Sequence, residues 1–281
     1  WVEQMGAKRI VAAREMSLEE LREMKKVLPP DTEIEAFVHG AMCMSYSGRC
    51  LLSNFMVGRD ANRGSCTHPC RWKYSLVEEK RPGEYYPVEE DNRGSYIMNS
   101  RDLCMLDKLP DLIDAGISSL KIEGRMKSPF YVATVVSAYR AALDEYLEDP
   151  DNYSFQEKWY KELCKASHRE FYHGFYYSKP DSSGQNYSSS DYTREYSFIG
   201  VVRGYEPDSG LTIVEQRNKF CVGEDIEVFG PRTDYTDEIV REMYDENNNP
   251  IESAPHPQQI IKVKLSKTYP SDFILRKKKE S

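Results

Sequence analysis

The chain has 281 residues, with 38 Lys and Arg against 46 Asp and Glu and a formal net charge of −8. Its length favours two domains, and no run approaches the ~20 apolar residues of a membrane-spanning helix, so no contact with a membrane is expected. The acidic balance excludes a uniformly positive surface but allows a local basic surface for RNA.

The first part of the chain alternates short apolar runs with helical patterns. Arg9–Arg14 is predicted to form a buried strand. Ser17 is a predicted helix N-cap, because Glu20 follows three residues later and completes a capping box. A second strand is predicted at Ile34–Val38, and a long segment rich in Cys and Gly follows it.

Two more strand–helix pairs complete this part of the chain. A third strand is predicted at Tyr96–Met98, before a helix over Asp102–Ala115. The fourth strand, Leu120–Ile122, precedes a helix that begins near Ser128. Repeated strand–helix units imply parallel strands joined by right-handed crossovers. Residues 1–150 are therefore predicted to form the C-terminal half of a (β/α)8 TIM-like barrel, with an open parallel sheet as the alternative.

The start of the chain bears on that half barrel. The first residue is Trp1 rather than Met, and half a barrel leaves unpaired strand edges, which are unfavourable. We therefore expect a region upstream of Trp1, or a paralogous subunit, to supply the other half.

The rest of the chain has a different character. Residues 151–192 are predicted to be a connector with one short helix and a surface loop, and residues 193–281 a small antiparallel β-barrel domain. The basic run Arg276–Lys279 is predicted to be a solvated tail, with phosphate contact as the alternative. The predicted strands of this domain are Phe198–Val202, Leu211–Glu215, Asp225–Phe229, Glu238–Tyr244, Gln259–Leu265 and Asp272–Leu275.

Seven cysteines are present, an odd number that a pure disulfide framework does not favour. The first residues do not form a secretory signal, so a reducing cytoplasmic location is expected, where clustered cysteines bind metals or act in catalysis. Cys43 and Cys50 follow the second predicted strand, and Cys104 follows the third, which places them at the same edge of the sheet. Thiolates are soft ligands that suit an iron–sulfur cluster or a zinc ion. The spacing of the cysteines leaves three interpretations open: a cluster, a zinc site, or thiols without a shared function.

The stretch Glu35–Ser53 resembles the signature of the collagenase-like peptidases of unknown mechanism, peptidase family U32. Similarity extends through Cys66–Trp72, Lys121–Lys127 and Pro255–Gln259, so it covers nearly the whole chain. The resemblance is strongest to the branch of tRNA hydroxylation proteins. The matched positions of the signature are Glu35, Phe37, Gly40, Ala41, Met42, Cys43, Gly48, Cys50, Leu52 and Ser53.

This resemblance implies an iron–sulfur protein with a (β/α)-barrel catalytic domain and a small C-terminal β-barrel. It implies tRNA hydroxylation to 5-hydroxyuridine at the wobble position, with prephenate as co-substrate. Carried over residue by residue, the ligands of a [4Fe-4S] cluster are Cys43, Cys50, Cys66 and Cys104, and Cys70 is an alternative to Cys66. Zinc is the alternative metal.

Other residue types near the cysteines suit catalysis and RNA binding. His39 is a candidate acid or base, and Glu123 and Arg125 are candidates for holding an anionic donor such as prephenate. Arg14 occupies the equivalent position after the first strand. Each of these residues equally fits a structural role. The candidate nucleic-acid-binding residues are Arg63, Arg71, Trp72 and Lys73.

Two other functions stay open. A peptidase is the first, but G-x-S-x-G and H-E-x-x-H motifs are absent, and thiols that act as metal ligands are not free nucleophiles. His39 and His68 are candidate partners of Cys43 and Cys66 in a thiol protease. The second is a metal-stabilised binding subunit without catalytic activity. With tRNA as partner, hydroxylation is the prediction that the residues and the resemblance together favour.

Overall fold

The computed structural model describes residues 2, 4–42, 48–72, 75–76, 86–87, 101–179, 193–231 and 235–279. It is a mixed α/β protein that divides into two units. Unit 1 comprises residues 1–127 and 168–192, and unit 2 comprises residues 128–167 and 193–281. No helix among these residues is long and apolar enough to cross a membrane.

Unit 1 contains short helices and strands, and its described strands form a five-stranded sheet and a separate two-stranded one. Its 3-10 turns are Ala61–Arg63, Pro69–Arg71 and Leu106–Lys108. Its helices and strands are β1 (Arg9–Val11), α1 (Leu18–Val27), β2 (Glu33–Ala41), α2 (Leu52–Val57), β3 (Ser75–Leu76), β4 (Tyr86–Pro87), β5 (Asp102–Cys104), α3 (Leu109–Asp114), β6 (Ile117–Ile122) and β7 (Phe171–Tyr172).

Strand β2 is the centre of the five-stranded sheet. It pairs in parallel with β1 and β6, as repeated strand–helix units predict. It pairs antiparallel with β5, which in turn pairs in parallel with β7. The sheet is therefore mixed, and the prediction of a purely parallel sheet is wrong at β5. The third predicted strand, Tyr96–Met98, lies outside the described residues.

The helix predicted over Asp102–Ala115 begins later than expected. Asp102, Leu103 and Cys104 are all buried in β5, and the carboxylate of Asp102 accepts a hydrogen bond from the backbone N–H of Arg169 at 3.2 Å. That carboxylate therefore does not cap a helix. Helix α3 starts only at Leu109, with a proline in its first turn.

The first helix and the first strand of the chain, α1 and β1, differ in how well they were predicted. The capping box of α1 is confirmed, since Ser17 Oγ accepts from the backbone N–H of Glu20 while the Glu20 carboxylate accepts from that of Ser17. The buried strand predicted at Arg9–Arg14 is instead a short exposed edge strand. Its Arg9 pairs with Glu33 at 2.6 Å, which is typical of a solvated edge.

Unit 2 begins with two helices and continues as strands. The long helix predicted from Ser128 is confirmed, with Ser128 as its N-cap. The elements are α4 (Pro129–Glu148), α5 (Glu157–Lys165), β8 (Tyr196–Glu206), β9 (Leu211–Gln216), β10 (Phe220–Cys221), β11 (Asp225–Phe229), β12 (Thr236–Ile239), β13 (Glu242–Tyr244), β14 (Ser253–Ala254), β15 (Ile260–Lys264) and β16 (Ile274–Lys278).

Seven of these strands form one antiparallel sheet in the order β12-β11-β16-β8-β9-β15-β13. Its inner face carries buried apolar side chains such as Ile199, Val214 and Val263. The single strand predicted at Glu238–Tyr244 is two strands, β12 and β13, which lie at opposite ends of this order. Only two residues join them, so the ends must lie within about 11 Å of each other. The sheet is therefore curled like an incomplete barrel.

The first half of the basic run Arg276–Lys279 is not a solvated tail, which corrects the prediction for Arg276 and Lys277, whereas Lys278 and Lys279 are exposed. Arg276 lies in β16, between β11 and β8, and its side chain is fully buried. Its guanidinium pairs with Glu227 and Glu162, at 2.7 Å each. Lys277 pairs with Glu224 at 2.7 Å. These carboxylates neutralise the basic residues, which allows the strand to enter the sheet.

Candidate active site

A cavity of about 650 Å³ opens in unit 1 beside the carboxyl ends of β2 and β6. Phe37 and Ala41 of β2 line it, together with Lys121 and Glu123 at the end of β6. The segment from Gly48 to Cys70 supplies the other wall. Carboxyl ends of parallel strands are where α/β proteins bind ligands, so the cavity lies where the sequence predicts a site.

Among the described residues, three cysteines line this cavity: Cys50, Cys66 and Cys70. The Sγ atom of Cys66 accepts a hydrogen bond from the backbone N–H of His68 at 3.3 Å. Such a donor stabilises a thiolate and tunes a sulfur-bound metal. Cys70 is buried, whereas Cys50 and Cys66 are partly exposed. The structure therefore brings together two of the four predicted ligands and the alternative ligand Cys70.

A hydroxyl pair holds the two cysteine-bearing segments together. The fully buried Ser53 accepts a hydrogen bond from the backbone N–H of Thr67 at 3.1 Å, and the two hydroxyl oxygens lie 3.2 Å apart. Ser53 is in the first turn of α2, three residues after Cys50, and Thr67 directly follows Cys66. This contact therefore fixes Cys50 relative to Cys66.

Cys104 and His39 lie behind the cavity wall. They are opposite each other in the antiparallel pair of β5 and β2, and both are buried. Among the described residues that line the cavity, neither is present. Burial lowers the pKa of His39 to about 3, so its imidazole is neutral at neutral pH. The role of His39 as an acid or base stays a prediction. In the structure its backbone carbonyl accepts the hydrogen bond from the backbone N–H of Glu123, which lines the cavity.

The predicted metal centre is not complete in the described part of the chain. Cys43 follows Met42, which lines the cavity, but Cys43 itself lies outside the described residues. Among the residues that the structure describes, no group of three or more His, Cys, Asp or Glu side chains is positioned to hold a metal ion. The donor chemistry nevertheless fits a thiolate-bound cluster, because several thiols and a backbone N–H donor share one cavity.

Arg14 and Glu123 form an ion pair at the cavity, with Nη2 and Oε2 3.0 Å apart. The guanidinium of Arg14 also lies over the ring of Phe37, 4.0 Å from its centroid. The Arg14 side chain is therefore fixed by a carboxylate and an aromatic face at the same time. Glu123 is held in turn, because its backbone N–H donates to the carbonyl of His39 at 2.8 Å.

Lys121 is a cavity residue that the sequence did not single out. Its ammonium lies 2.6 Å from Oε1 of Glu35, and Ser119 Oγ donates to the same carboxylate at 3.0 Å. The hydrogen bond from Lys121 lowers the pKa of Glu35, which keeps the carboxylate ionised. The pairing of β2 with β6 places Phe37 beside Lys121, and sequence spacing alone does not reveal that register.

Arg125 reaches across to the cysteine-bearing wall. Its guanidinium donates to the backbone carbonyl of Arg63 at 3.2 Å, and its backbone N–H donates to Glu123 Oε1 at 3.2 Å. A Cβ on Gly64 would lie 1.9 Å from Arg125 Nη1, so glycine leaves room for the guanidinium. Glu123 and Arg125 thus both line the cavity, and their role in holding an anionic donor stays a prediction.

The four predicted RNA-binding residues are only partly described. Arg63 and Trp72 are exposed. Arg71 ends a 3-10 turn, and its side chain lies outside the described part, as does the whole of Lys73. Taken together, the cavity offers soft thiols beside the cationic groups of Arg14, Lys121 and Arg125, which suits a metal centre next to an anionic ligand.

Comparison with known families agrees with this arrangement. The model of peptidase family U32 matches residues 1–186, and that of the peptidase family U32 C-terminal domain matches residues 194–276. The chain belongs to peptidase family U32. The two U32 matches meet near residue 190, whereas the structural division assigns residues 128–167 to unit 2. The predicted domain boundaries stay a prediction.

Several U32 relatives are named for tRNA hydroxylation. The chain is 42% identical to tRNA hydroxylation protein P1 of Bacillus subtilis over 279 residues, which cover 99% of this chain and 65% of that protein. It is 37% identical to tRNA hydroxylation protein P of Escherichia coli over 82% of this chain and 58% of that protein. A collagenase of Porphyromonas gingivalis is 30% identical over 95% of this chain and 66% of that protein. The chain therefore spans about three fifths of the two tRNA hydroxylation proteins.

A solved structure is similar to the end of the chain. It is the C-terminal domain of a putative U32 peptidase from Geobacillus thermoleovorans. It shares 36% sequence identity and covers 29% of this chain and 99% of its own, with a TM-score of 0.28.

Proposed function

We propose that this chain is part of an enzyme that hydroxylates tRNA, forming 5-hydroxyuridine at the wobble position. Its similarity to tRNA hydroxylation protein P1 along 99% of its length carries the proposal. The cavity supports it, because thiols and cationic side chains line one space beside the strand ends. Hydroxylation of a base is a two-electron oxidation that needs an oxygen donor and an electron acceptor, which amino-acid side chains do not provide.

Cys43, Cys50, Cys66 and Cys104 would hold a [4Fe-4S] cluster, with Cys70 as the alternative to Cys66. Such a cluster would supply electron transfer when it is bound. The protein's own contribution is the environment: the backbone N–H of His68 donates a hydrogen bond to the sulfur of Cys66, and the buried Ser53 fixes the segment next to Cys50.

The cationic groups of the cavity would bind an anionic co-substrate such as prephenate. Arg125 offers a planar guanidinium that can bind a carboxylate with two hydrogen bonds. Arg14 and Glu123 fix each other, and Lys121 is fixed by Glu35. These contacts keep the positive groups in place before the ligand enters, which reduces the entropy that is lost on binding.

We also propose that unit 1 is the C-terminal half of a (β/α)8 barrel. The parallel pairs β1–β2 and β2–β6 support this proposal. A segment beyond this chain or a paralogous subunit would complete the barrel around the cavity.

Nucleoside analysis tests the proposed reaction. The gene that encodes this chain is deleted, and tRNA nucleosides are quantified by mass spectrometry. We expect 5-hydroxyuridine to fall on deletion and to return with the wild-type gene. A gene carrying Cys66→Ser should restore far less, and one carrying Cys221→Ser, a thiol of unit 2, should restore it fully. Unchanged 5-hydroxyuridine after deletion would refute the proposed function.

A chemical assay separates the possible metals. Anaerobically purified protein is assayed for iron, acid-labile sulfide and zinc. We expect iron and sulfide in equal amounts in the wild type and a marked loss of both in Cys50→Ser. Zinc without sulfide would contradict the cluster and leave the thiolate site in place.

A thiol peptidase is the second candidate. Cys66 and His68 line the same cavity, which favours this function, and a relative is named collagenase. Gelatin or a fluorogenic peptide would be cleaved by the purified chain, and His68→Gln would abolish the cleavage. Cleavage that survives both His68→Gln and Cys66→Ser would exclude this pair as its origin.

A further inference from the structure

Helix α2 presents its apolar side chains outward. Its buried contact is the hydroxyl of Ser53, whereas Phe55 is 87% exposed. An amphipathic helix normally buries apolar residues and exposes polar ones, so this pattern is inverted. Exposed apolar clusters usually mark interaction sites. We name the exposed group the α2 face; it consists of Leu51, Phe55, Met56 and Val57.

The charge around the α2 face is opposite to that of the whole chain. Between residues 48 and 72 the sequence has four arginines and one acidic residue, Asp60, although the chain carries a net charge of −8. Arg49, Arg59 and Arg63 are exposed. The α2 face is thus an apolar and aromatic surface within a local cationic field.

The α2 face also continues into the cavity. Leu52, the first residue of the helix, lines the cavity, and so does Met126 on the opposite side. Trp72, at the end of the same segment, is 42% exposed. Leu52, between Leu51 and Ser53 in the chain, therefore connects the α2 face to the lining of the cavity.

We infer that the α2 face binds an unpaired loop of RNA, with Phe55 stacking on one base and the flanking arginines contacting phosphates. Aromatic stacking together with cationic contacts is how proteins recognise unpaired RNA, whereas duplex RNA hides its base faces. The inference rests on the proposed function, because it assigns the RNA loop to the same cavity. It adds the surface that positions the loop.

RNA binding by the purified chain tests the inference. The probes are a labelled RNA stem-loop with an unpaired loop and a blunt RNA duplex of similar length, followed by fluorescence anisotropy. We expect Phe55→Ala to weaken stem-loop binding by about 5- to 150-fold, the range of one lost stacking contact. Duplex binding should stay unchanged, and Phe55→Tyr should retain the affinity for the stem-loop.

Arginine variants and a matched control complete the experiment. Arg49→Gln and Arg59→Gln should weaken the binding of both probes. For the unpaired loop, each lost phosphate contact should also reduce the slope of log K against log salt concentration by about 0.7. Val27→Ala removes an equally exposed apolar side chain at the opposite end of β2, and should bind like the wild type.

Three results would overturn the inference. One is equal stem-loop affinity in Phe55→Ala and the wild type. Another is a change from dimer to monomer in Phe55→Ala, which would show that a second copy covers the face. The third is a lower melting temperature for Phe55→Ala, which would show that the chain covers Phe55 itself. The proposed function fails separately: stem-loop binding through Phe55 with unchanged cellular 5-hydroxyuridine after deletion would refute hydroxylation alone.

Discussion

The side chain of Arg276 carries its charge in the interior of unit 2. Its guanidinium donates to Glu227 at 2.7 Å and to Glu162 at 2.7 and 3.1 Å, and it lies 4.4 Å from the ring centroid of Phe229. Lys165 pairs with the same two carboxylates, at 2.9 and 2.6 Å. Two cations and two anions thus balance each other, and removing one member leaves the others unequally paired.

We expect Arg276→Met to lower the free energy of unfolding by about 3–5 kcal/mol, because a buried carboxylate loses its cation. Urea denaturation at neutral pH measures the change. Lys278→Met, in the same strand but exposed, is the matched control and should stay within about 0.5 kcal/mol of the wild type. A loss below about 1 kcal/mol for Arg276→Met would show that Lys165 alone neutralises both carboxylates.

Glu35 gives a pH dependence of known sign. The hydrogen bond from Lys121 lowers its pKa below 4.5, so the folded state favours the ionised carboxylate. Its stabilising contribution is complete above pH 4.5 and is lost as the pH falls through the lower folded pKa. Urea denaturation from pH 6 to pH 3 should show a shallower loss of stability for Glu35→Gln than for the wild type. Glu19→Gln, an exposed control, should follow the wild-type curve, and equal curves for all three would contradict the assignment.

These residue-scale features show what a local pattern misses. The partners of Arg276 lie 49 and 114 residues away in the chain, so the run Arg276–Lys279 has the sequence pattern of a solvated tail. The partner of Lys121 is likewise 86 residues away. Glu123 and Arg125, by contrast, were predicted as neighbours because they follow one strand directly.

At the scale of elements, β2 approaches the residue that follows β6 closely at Gly40. This residue has φ +109°, and a Cβ there would lie 2.5 Å from the backbone oxygen of Glu123. The close approach fixes Glu123 at the end of β6, where it pairs with Arg14. Gly40 therefore connects the packing of the two strands to the charge arrangement of the cavity.

Replacing Gly40 tests this connection. We expect Gly40→Ala to destabilise the protein by about 3 kcal/mol, from backbone strain together with a clash against a backbone atom. Gly58→Ala is the control, because Gly58 also has a positive φ, +67°, but its Cβ would meet no atom within 4 Å among those described. Gly58→Ala should cost only about 1–2 kcal/mol, the cost of a left-handed conformation for an L-residue. Equal losses for the two variants in urea denaturation would show that strain, not the approach to Glu123, accounts for the effect.

Elements with local signals were predicted, and those defined by distant pairing were not. The Ser17–Glu20 capping box and the N-cap at Ser128 are both encoded within four residues, and both are confirmed. Strand β5 is defined by its pairing with β2 more than 60 residues earlier, and its sequence was mistaken for the start of a helix. The position of Cys50 near the end of β2 followed from the strand pattern, whereas Cys66 was predicted to lie with it only through the family resemblance.

At the scale of the whole molecule, α4 and α5 belong with the C-terminal sheet. Phe130 of α4 stacks on Phe198, with ring centroids 5.8 Å apart, and meets Phe229 edge-on at 6.1 Å. Helix α5 contributes Glu162 and Lys165 to the charges around Arg276. The contacts of α4 with distant strands leave no local signal, so sequence composition could not reveal this packing.

This assignment predicts how fragments behave. A fragment of residues 128–281 should unfold cooperatively and be more stable than residues 193–281 by about 3–5 kcal/mol, since the shorter one loses the burial of Phe130 and its ring contacts. The fragment of residues 193–281 also lacks Glu162, the ion-pair partner of Arg276. Urea denaturation followed by circular dichroism measures both fragments. Phe130→Ala should lower the stability of the longer fragment by part of this difference. Leu147→Ala, at an exposed position of the same helix, should leave its stability unchanged. Equal stabilities would mean that α4 and α5 do not stabilise the sheet.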